Sequence, residues 1–294
     1  MPRHLETERR RPEQYPLDIS LETREQIQRF KGLPSRPKIG LALAGGGARG
    51  LAHVGVLLAL EALGLPLDYI AGTSAGSIAG AAAAARIPLD RLLEIAFDTN
   101  WLFMLQPGGW RRWGGLLSSA GIERWVLGWL GDLTFEQLTI PLTAMATDLR
   151  TGEAVSLREG SVARAVRISS TVPGLYTPVV DEGRILADGG LVCNVPVSVV
   201  REMGADIVIA VDLNCRLSTG PLESFSEVVS QSILLLQRAN ERREIAQADF
   251  VIEPDLSQHT LVNFEGAEAL IWAGFLGVAH RVSELADLLG GFLQ

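Results

Sequence analysis

The amino-acid sequence predicts an α/β domain with a central, mostly parallel β-sheet flanked by helices. From Lys38 onward, short runs of β-branched and aliphatic residues alternate with longer segments whose apolar residues recur every three or four positions. The chain has 294 residues, 47% hydrophobic and 20% charged, which suffices for one large core. No internal repeat or low-complexity linker follows residue 38, so we expect a single domain over residues 39–294.

The alternation also gives approximate bounds for each element. Runs of strand-forming residues predict β-strands at residues 39–44, 67–71, 141–147, 184–187, 206–211 and 250–252. Helical spacing of apolar residues predicts helices at residues 50–63, 76–85, 89–97, 123–130, 197–203, 226–248 and 265–289. A short polar helix is expected within residues 17–30.

Composition argues against several classes of protein. Cys193 and Cys215 are too few for a disulfide framework and form no Cys-x-x-Cys pair, which favours a cytoplasmic location. A net charge of −8 argues against a nucleic-acid partner. No segment reaches the roughly 18 consecutive apolar residues of a membrane span, so we expect a soluble protein.

The first 38 residues differ in charge from the rest of the chain. They carry nine Lys or Arg and six Asp or Glu, and no apolar stretch of signal-peptide length. We expect a charged arm that is solvated or docked on the domain. Peripheral contact with the inner face of a membrane through this basic arm remains an alternative.

A glycine-rich turn follows the first expected strand. Residues 45–50 read Gly-Gly-Gly-Ala-Arg-Gly and precede a helix. Consecutive glycines let main-chain N–H groups converge beside the positive end of that helix, which favours negative charge. Such a turn can hold a dinucleotide pyrophosphate or stabilise an oxyanion, although a simple tight turn is an equally good interpretation of the motif alone.

The second expected strand distinguishes between these uses. A dinucleotide site needs an acidic residue at the strand's end, whereas Asp68 lies at its beginning. The strand instead runs into Gly-Thr-Ser-Ala-Gly at residues 72–76, and this pattern between a strand and a helix is typical of a nucleophile elbow. We therefore expect Ser74 to project into the crevice above the sheet.

A serine hydroxyl needs a base before it can attack a carbonyl at neutral pH. His259 is the one histidine in a position typical of a late triad histidine, and the other three are expected to be surface or packed residues. Asp188 follows an apolar strand, and neighbouring parallel strands end on the same side of a sheet. Burial would raise the pKa of this carboxyl and make it a better base, so a Ser74–Asp188 dyad is predicted.

Three glycine-containing turns carry a resemblance to a known family: residues 45–50, residues 72–76 and Asp-Gly-Gly at residues 188–190. Together they resemble the turns of the patatin-like phospholipase family, in the bacterial branch related to the esterase domain of neuropathy target esterase. Supporting stretches lie at residues 146–152, 165–178, 194–196 and 204–212. The resemblance implies a single three-layer α/β domain, with a motif-bearing core at about residues 41–201 and a C-terminal part at residues 202–294.

The resemblance also implies roles for individual residues. In this family a serine is the nucleophile and the aspartate of an Asp-Gly-Ala or Asp-Gly-Gly motif is the base, which corresponds to Ser74 and Asp188. Oxyanion or substrate contacts are implied at Gly45, Gly46, Gly47, Arg49, Gly50 and Ala75, and supporting roles in the turns at Gly72, Gly76, Gly189 and Gly190. Structural pairing is an equal alternative for Arg49, and Ser169 receives no catalytic role.

The implied activity is hydrolysis of phospholipids, lysophospholipids or other fatty-acyl esters, without a metal or other cofactor. Two alternatives remain at this point. One is an esterase with a Ser74–His259 triad, and the other is a non-catalytic nucleotide-binding or regulatory module that uses only the glycine loop.

Five of the six tryptophans fall within residues 101–129. Clustered aromatic side chains among glycines and arginines could form a cap that enters a lipid interface. Packing of the same side chains on the core is the favoured interpretation. The tryptophans in question are Trp101, Trp110, Trp113, Trp125 and Trp129.

Overall fold

The computed structural model describes residues 17, 19–98, 106–107, 117–216, 225–261, 263–264 and 266–293. Within them, eight strands form one sheet: β1 (Ile39–Leu43), β2 (Tyr69–Thr73), β5 (Leu142–Asp148), β6 (Ala154–Leu157), β7 (Val179–Asp181), β8 (Arg184–Asp188), β9 (Ile207–Val211) and β10 (Phe250–Ile252). A separate antiparallel pair is formed by β3 (Gln106–Pro107) and β4 (Leu117–Ser118).

The described residues also form α-helices with defined bounds. They are α1 (Leu21–Lys31), α2 (Ala52–Ala62), α3 (Ala75–Ala84), α4 (Leu89–Asp98), α5 (Ala120–Leu130), α6 (Val162–Ser169), α7 (Val197–Glu202), α8 (Phe225–Ile245), α9 (Ala267–Ala279) and α10 (Val282–Gly290). The expected helix at residues 50–63 begins with a 3-10 turn, Gly47–Leu51. The expected helix at residues 265–289 is two helices, which are separated at His280 and Arg281.

The sheet is mostly parallel, which confirms the predicted fold class. Its order is β10-β9-β1-β2-β5-β8-β7, with β6 also paired to β5, and the first five strands of this order are parallel. The strand that ends in Asp188 was expected to be parallel to its neighbours, and this was wrong: β8 runs antiparallel to β5. The two strands of this sheet that the sequence did not predict, β6 and β7, are short and partly exposed, so they lack a buried apolar run.

Helices cover both faces of the sheet, as the two sides of β1 show. A Cβ on Gly40 would lie 2.0 Å from Val200 of α7, whereas the side chain of Leu43 faces Gly80 of α3. Residues three apart on a strand point to opposite faces, so α7 and α3 lie on opposite sides. Strands β1, β5 and β9 are buried along their whole length because they are covered in this way.

The described part of the N-terminal arm is docked on the domain. Helix α1 packs against α10, and it buries Ile27 and Phe30. The ring of Phe30 meets that of Phe292 edge-on, with centroids 6.4 Å apart. Residues 1–16, which include the arginine run, lie outside the described residues.

The tryptophan-rich segment is described only in part. Trp101, Trp110 and Trp113 lie outside the described residues, whereas Trp125 and Trp129 are half-buried on α5 and pack against the core. Their rings meet edge-on at 5.6 Å. Among the described helices, none combines the length and the apolar character needed to span a bilayer.

Helices α2 and α9 cross so closely that two glycines are required. A Cβ on Gly55 of α2 would lie 1.8 Å from the carbonyl oxygen of Ile271, and one on Gly274 of α9 would lie 1.9 Å from that of Ala52. A Cβ on Gly277 of α9 would meet nothing nearer than 3.4 Å. We expect Gly274→Ala to lower the free energy of unfolding by about 2 kcal/mol, because the helices must separate. Gly277→Ala is the matched control and should be neutral or slightly stabilising. Denaturant unfolding measures both, and equal effects would contradict the close crossing.

Candidate active site

Ser74 lies in a strained turn between β2 and α3. Its φ of 51° and ψ of −120° are unusual for a non-glycine residue. A Cβ on Gly72 would lie 2.3 Å from the carbonyl oxygen of Gly76, and one on Gly76 would lie 2.2 Å from that of Leu43. Only glycine fits at both positions, so the geometry of a nucleophile elbow that the sequence predicts is present.

Ser169 was given no role from the sequence, yet it binds the elbow directly. Its buried Oγ accepts a hydrogen bond of 2.9 Å from the Ser74 N–H. Ser169 is the last residue of α6, a helix that the sequence did not predict. The bond satisfies a buried donor that the strained turn leaves without a main-chain acceptor.

The sheet register brings Asp188 to Ser74. Thr73 of β2 pairs with Met145 of β5, and the next residue of β5, Ala146, pairs with Asp188 of β8. Ser74 and Asp188 therefore lie level on either side of β5. The Ser74 hydroxyl is close enough to the Asp188 carboxyl to lower its pKa. The predicted meeting of these residues is observed, but it arises through an antiparallel strand.

Main-chain and side-chain bonds hold Asp188 in place. Its N–H donates to the Thr171 carbonyl at 2.9 Å, and its own carbonyl accepts from Thr147 Oγ1 at 2.9 Å. Its Oδ1 accepts from the Gly190 N–H at 2.8 Å. Burial raises the pKa of the carboxyl to about 6, although the bonds from Gly190 and Ser74 oppose this rise.

The glycine loop packs directly on the elbow. A Cβ on Gly50 would lie 2.3 Å from that of Ala75, and a Cβ on Gly45 would lie 3.3 Å from that of Ser74. In the described part of the chain, the N–H groups of Gly46 and Gly47 have no protein acceptor. The Ala75 N–H, at the first position of α3, also has no intrahelical partner. These main-chain donors beside the Ser74 hydroxyl are available to an anionic oxygen.

The remaining turn glycines are also in close contact with other chain segments. Gly47 has φ of +53°, and a Cβ there would lie 2.3 Å from the Leu261 carbonyl oxygen. A Cβ on Gly189 would lie 2.5 Å from the Met145 carbonyl oxygen, and one on Gly190 would lie 2.8 Å from Asn194 Oδ1. The turn after Asp188 therefore depends on the absence of side chains.

The expectation that Arg49 contacts substrate is not supported by its position. The side chain is fully buried, with Nε donating to the His259 carbonyl at 3.0 Å. Its Nη1 donates to the carbonyls of Leu213 and Arg216 and to Asn214 Oδ1 at 3.2–3.3 Å, while Nη2 has no partner among the described residues. Arg49 instead ties the glycine loop to later segments of the chain, and its partners are carbonyl groups rather than the carboxylate considered from the sequence.

The alternatives that rested on His259 and on nucleotide binding gain no support. Within the described residues, the hydrogen bonds of the Ser74 and Asp188 side chains involve no histidine. His53 is buried with Nε2 2.8 Å from the Ala44 carbonyl oxygen, and burial lowers its pKa to about 4, so it is neutral. Asp68 lies at the start of β2, where it binds Arg36 at 2.6 Å. No cluster of three or more potential metal ligands occurs among the described residues.

Comparison with known proteins assigns the family. Residues 41–201 match the model for the patatin-like phospholipase family. The chain belongs to that family. An uncharacterised NTE family protein of Mycobacterium tuberculosis strain H37Rv is 32% identical over 278 residues, which cover 85% of this chain and 47% of that protein.

Other relatives extend the same assignment. A second uncharacterised NTE family protein of the same strain is 40% identical over 192 residues, covering 61% of this chain and 50% of that protein. Patatin-like phospholipase domain-containing protein 6 of Mus musculus is 33% identical over 226 residues, covering 75% of this chain and 16% of that protein. The chain thus spans about half the length of the mycobacterial relatives and a smaller share of the mouse protein.

Solved structures share the fold of this patatin-like domain. VipD from Legionella pneumophila superposes with a TM-score of 0.59 at 14% identity, over 85% of this chain and 67% of that one. Human GIVD cytosolic phospholipase A2, in complex with methyl gamma-linolenyl fluorophosphonate, gives a TM-score of 0.55 at 14% identity, over 94% and 65%. At this identity the likeness concerns the fold alone.

The Ser169 contact predicts a difference between two adjacent serines. Ser169→Ala removes the acceptor of the Ser74 N–H and should destabilise the fold by about 1–3 kcal/mol. Ser170→Ala is the matched control, because the Ser170 Oγ is buried without a hydrogen-bond partner among the described residues. We expect this control to lower the free energy of unfolding by less than about 0.5 kcal/mol, since no bond is lost. Thermal or urea unfolding compares them, and the reverse order would contradict the assigned contact.

Proposed function

We propose that this protein hydrolyses fatty-acyl esters of phospholipids or lysophospholipids, with Ser74 as nucleophile and Asp188 as base. The observation that carries the proposal is the sheet register that places Ser74 level with the buried Asp188 carboxyl, whose pKa the Ser74 hydroxyl lowers. This pair lies beside the main-chain donors of Gly46, Gly47 and Ala75, which suit an oxyanion. The family assignment supports the same class of reaction.

In the proposed first half-reaction, the Ser74 Oγ attacks the acyl carbonyl while its proton passes to the Asp188 carboxylate. The carbonyl oxygen becomes an oxyanion, which accepts hydrogen bonds from the glycine loop and the start of α3. Collapse of the tetrahedral intermediate expels the alcohol, which takes the proton from Asp188. The products are a free alcohol, such as a lysophospholipid, and an acyl group esterified to Ser74.

The second half-reaction uses the same groups, with water instead of the Ser74 hydroxyl as the nucleophile. A water molecule attacks the acyl-Ser74 ester while Asp188 accepts its proton, and the same donors stabilise the second oxyanion. Collapse then returns the proton to Ser74 and releases the fatty acid. Asp188 is suited to both steps because a carboxyl with a pKa near 6 accepts and returns a proton more readily than an ordinary aspartate.

Esters suit this pair better than amides do. An alkoxide leaving group needs only one proton from a weak acid, whereas an amine leaving group demands stronger protonation at the transition state. The names of a phospholipase A2 among the fold neighbours and of NTE proteins among the relatives support lipid acyl esters as the substrates. We propose that the protein acts in the cytoplasm and meets its substrate at a membrane surface.

Substitution of the pair tests the proposal. Ser74→Ala and Asp188→Asn should each lower kcat by at least about 1000-fold, because one removes the nucleophile and the other the base. His259→Ala is the control and should keep activity within a few-fold of the unaltered protein. Hydrolysis of a lysophospholipid and a short acyl ester, with covalent labelling by a fluorophosphonate, provides the measurement. Full activity in either dyad variant would exclude the dyad.

The raised pKa of Asp188 predicts a pH profile. The base must be ionised, so kcat/KM should be constant above about pH 6 and fall tenfold per pH unit below it. An aspartate with an ordinary pKa near 3.8 would keep the enzyme active down to about pH 4. A soluble ester assayed between pH 4.5 and 8.5 gives the profile, with circular dichroism at each pH to show that the fold persists. Undiminished kcat/KM at pH 4.5 would contradict the assignment of the base.

A further inference from the structure

A second buried carboxylate lies behind the glycine loop, on a helix outside the segment that matches the family model. Glu241 of α8 is only 3% exposed. It accepts a hydrogen bond of 2.5 Å from Asn194 Nδ2, and the Asn214 side chain is close enough to lower the pKa of this carboxyl. Burial of a carboxylate normally costs stability, because its bonds inside the protein only partly replace its hydration. Its presence here therefore needs another explanation.

The same two amides also hold the glycine loop. Asn194 Nδ2 and Asn214 Nδ2 donate to the Gly45 carbonyl oxygen at 3.3 and 2.9 Å. An amide nitrogen has two hydrogens, so Asn194 joins the Glu241 carboxylate to the Gly45 carbonyl. Asn214 binds the same carbonyl, and its side chain lowers the pKa of Glu241. In addition, the Gly45 N–H donates to the main-chain carbonyl of Asn194 at 3.2 Å.

The chemistry of the partners fixes which way the amides face. A carboxylate only accepts hydrogen bonds, so Glu241 requires the NH2 group of Asn194 to point toward it. A guanidinium only donates, and Arg49 Nη1 lies 3.3 Å from Asn214 Oδ1, which fixes Asn214 in the same orientation. With the amides oriented in this way, their remaining hydrogens face the Gly45 carbonyl.

The orientation of the Gly45 carbonyl determines the direction of a catalytic donor. In a trans peptide the C=O and the following N–H point in opposite directions, and no cis peptide occurs in the described residues. A carbonyl fixed on the amides therefore fixes the Gly46 N–H on the other side of the peptide plane. Glycines on both sides of this peptide would otherwise allow it to rotate easily.

We propose that Glu241 is a positioning residue for the oxyanion loop, which acts through Asn194 and Asn214 to aim the Gly46 N–H at the developing oxyanion. This inference rests on the proposed function, because it assumes that Gly46 serves as an oxyanion donor. Glu241 contacts no reacting atom, and it acts only through the two amides and one peptide.

The electrostatic surroundings indicate that stability alone does not favour this carboxylate. Burial and the nearby Asp212 raise the pKa of Glu241 to about 7, while bonds from the two amides and the charge of Arg238 oppose the rise. Since ionised Glu241 is disfavoured by burial, a neutral residue of the same shape would remove a cost that grows between pH 4.5, the ordinary pKa, and about 7, the raised one, and is constant above it.

The test compares two glutamates on one helix. Glu241→Gln keeps the shape of the side chain, but the new NH2 group would face the NH2 group of one of the two asparagines. Two donors repel each other, so that asparagine must turn its amide away from Gly45. We expect kcat for a soluble ester at pH 8 to fall about 10- to 100-fold with KM unchanged within about 2-fold, because the lost alignment matters only in the transition state. Glu244→Gln is the matched control: its half-buried carboxylate binds the Ser198 N–H and Oγ, not the glycine loop, so kcat should not change.

A second variant tests the same carbonyl from the other side. Asn214→Ala should lower kcat similarly. The kcat of the double variant Glu241→Gln/Asn214→Ala should be within about 3-fold of that of the slower single variant, because both substitutions act on one carbonyl. Melting temperatures are recorded for all variants. If Glu241→Gln does not fold, Asn214→Ala alone decides, and an unchanged kcat there overturns the proposal.

The outcomes separate this inference from the proposed function. If the unaltered protein shows no hydrolysis that depends on Ser74, the proposed function itself is wrong. An active, Ser74-dependent enzyme in which Glu241→Gln has normal kcat, or in which Glu244→Gln is equally impaired, overturns the positioning role alone. Multiplicative losses in the double variant would also overturn it.

Discussion

The geometry of the site depends on the close approach of main chains at the carboxyl edge of the sheet. The carbonyl oxygen of Leu43, at the end of β1, occupies the space that a side chain at position 76 would need. A left-handed conformation at Ser74 costs on the order of 1–3 kcal/mol and persists only where its surroundings determine it. Here those surroundings are the buried strands β1 and β5 and the Ser169 hydroxyl, so strain at one residue is supported by the most rigid part of the fold.

Burial at the same edge also determines the electrostatics of the pair. Asp188 is nearly inaccessible, and removal from water raises the pKa of its carboxyl to about 6, above that of a solvated aspartate. Without the N–H of Gly190 and the hydroxyl of Ser74, the carboxyl would be still harder to ionise. The pKa of Asp188 thus lies between two unsuitable extremes. A fully solvated carboxylate is a poor base, and a fully desolvated carboxyl stays protonated.

The sequence was sufficient where local pattern determines structure, and insufficient where distant segments meet. Buried apolar runs located β1, β5, β9 and β10 to within two residues, and flanking glycines located the Ser74 elbow. Antiparallel pairing of the strand that ends in Asp188 depends on long-range register, which no local pattern encodes. The interpretation of Arg49 as a substrate contact was natural for a cation beside an oxyanion loop, yet its partners are main-chain carbonyls more than 160 residues away. Likewise, the second half of α8 is polar in sequence, and nothing in that pattern indicates that Glu241 is buried.

These distant contacts imply that the catalytic site is not confined to the segment that carries its motifs. The Ala48 N–H donates to the carbonyl of Leu261, the Gly45 carbonyl accepts from Asn214, and Arg49 reaches His259. Each of these partners lies beyond residue 201, where the match to the family model ends. A glycine-rich turn gains flexibility from its composition, so it can act as a fixed set of donors only if other segments remove that flexibility. The C-terminal part of the chain supplies that restraint, which makes it part of the proposed active site although it contains neither Ser74 nor Asp188.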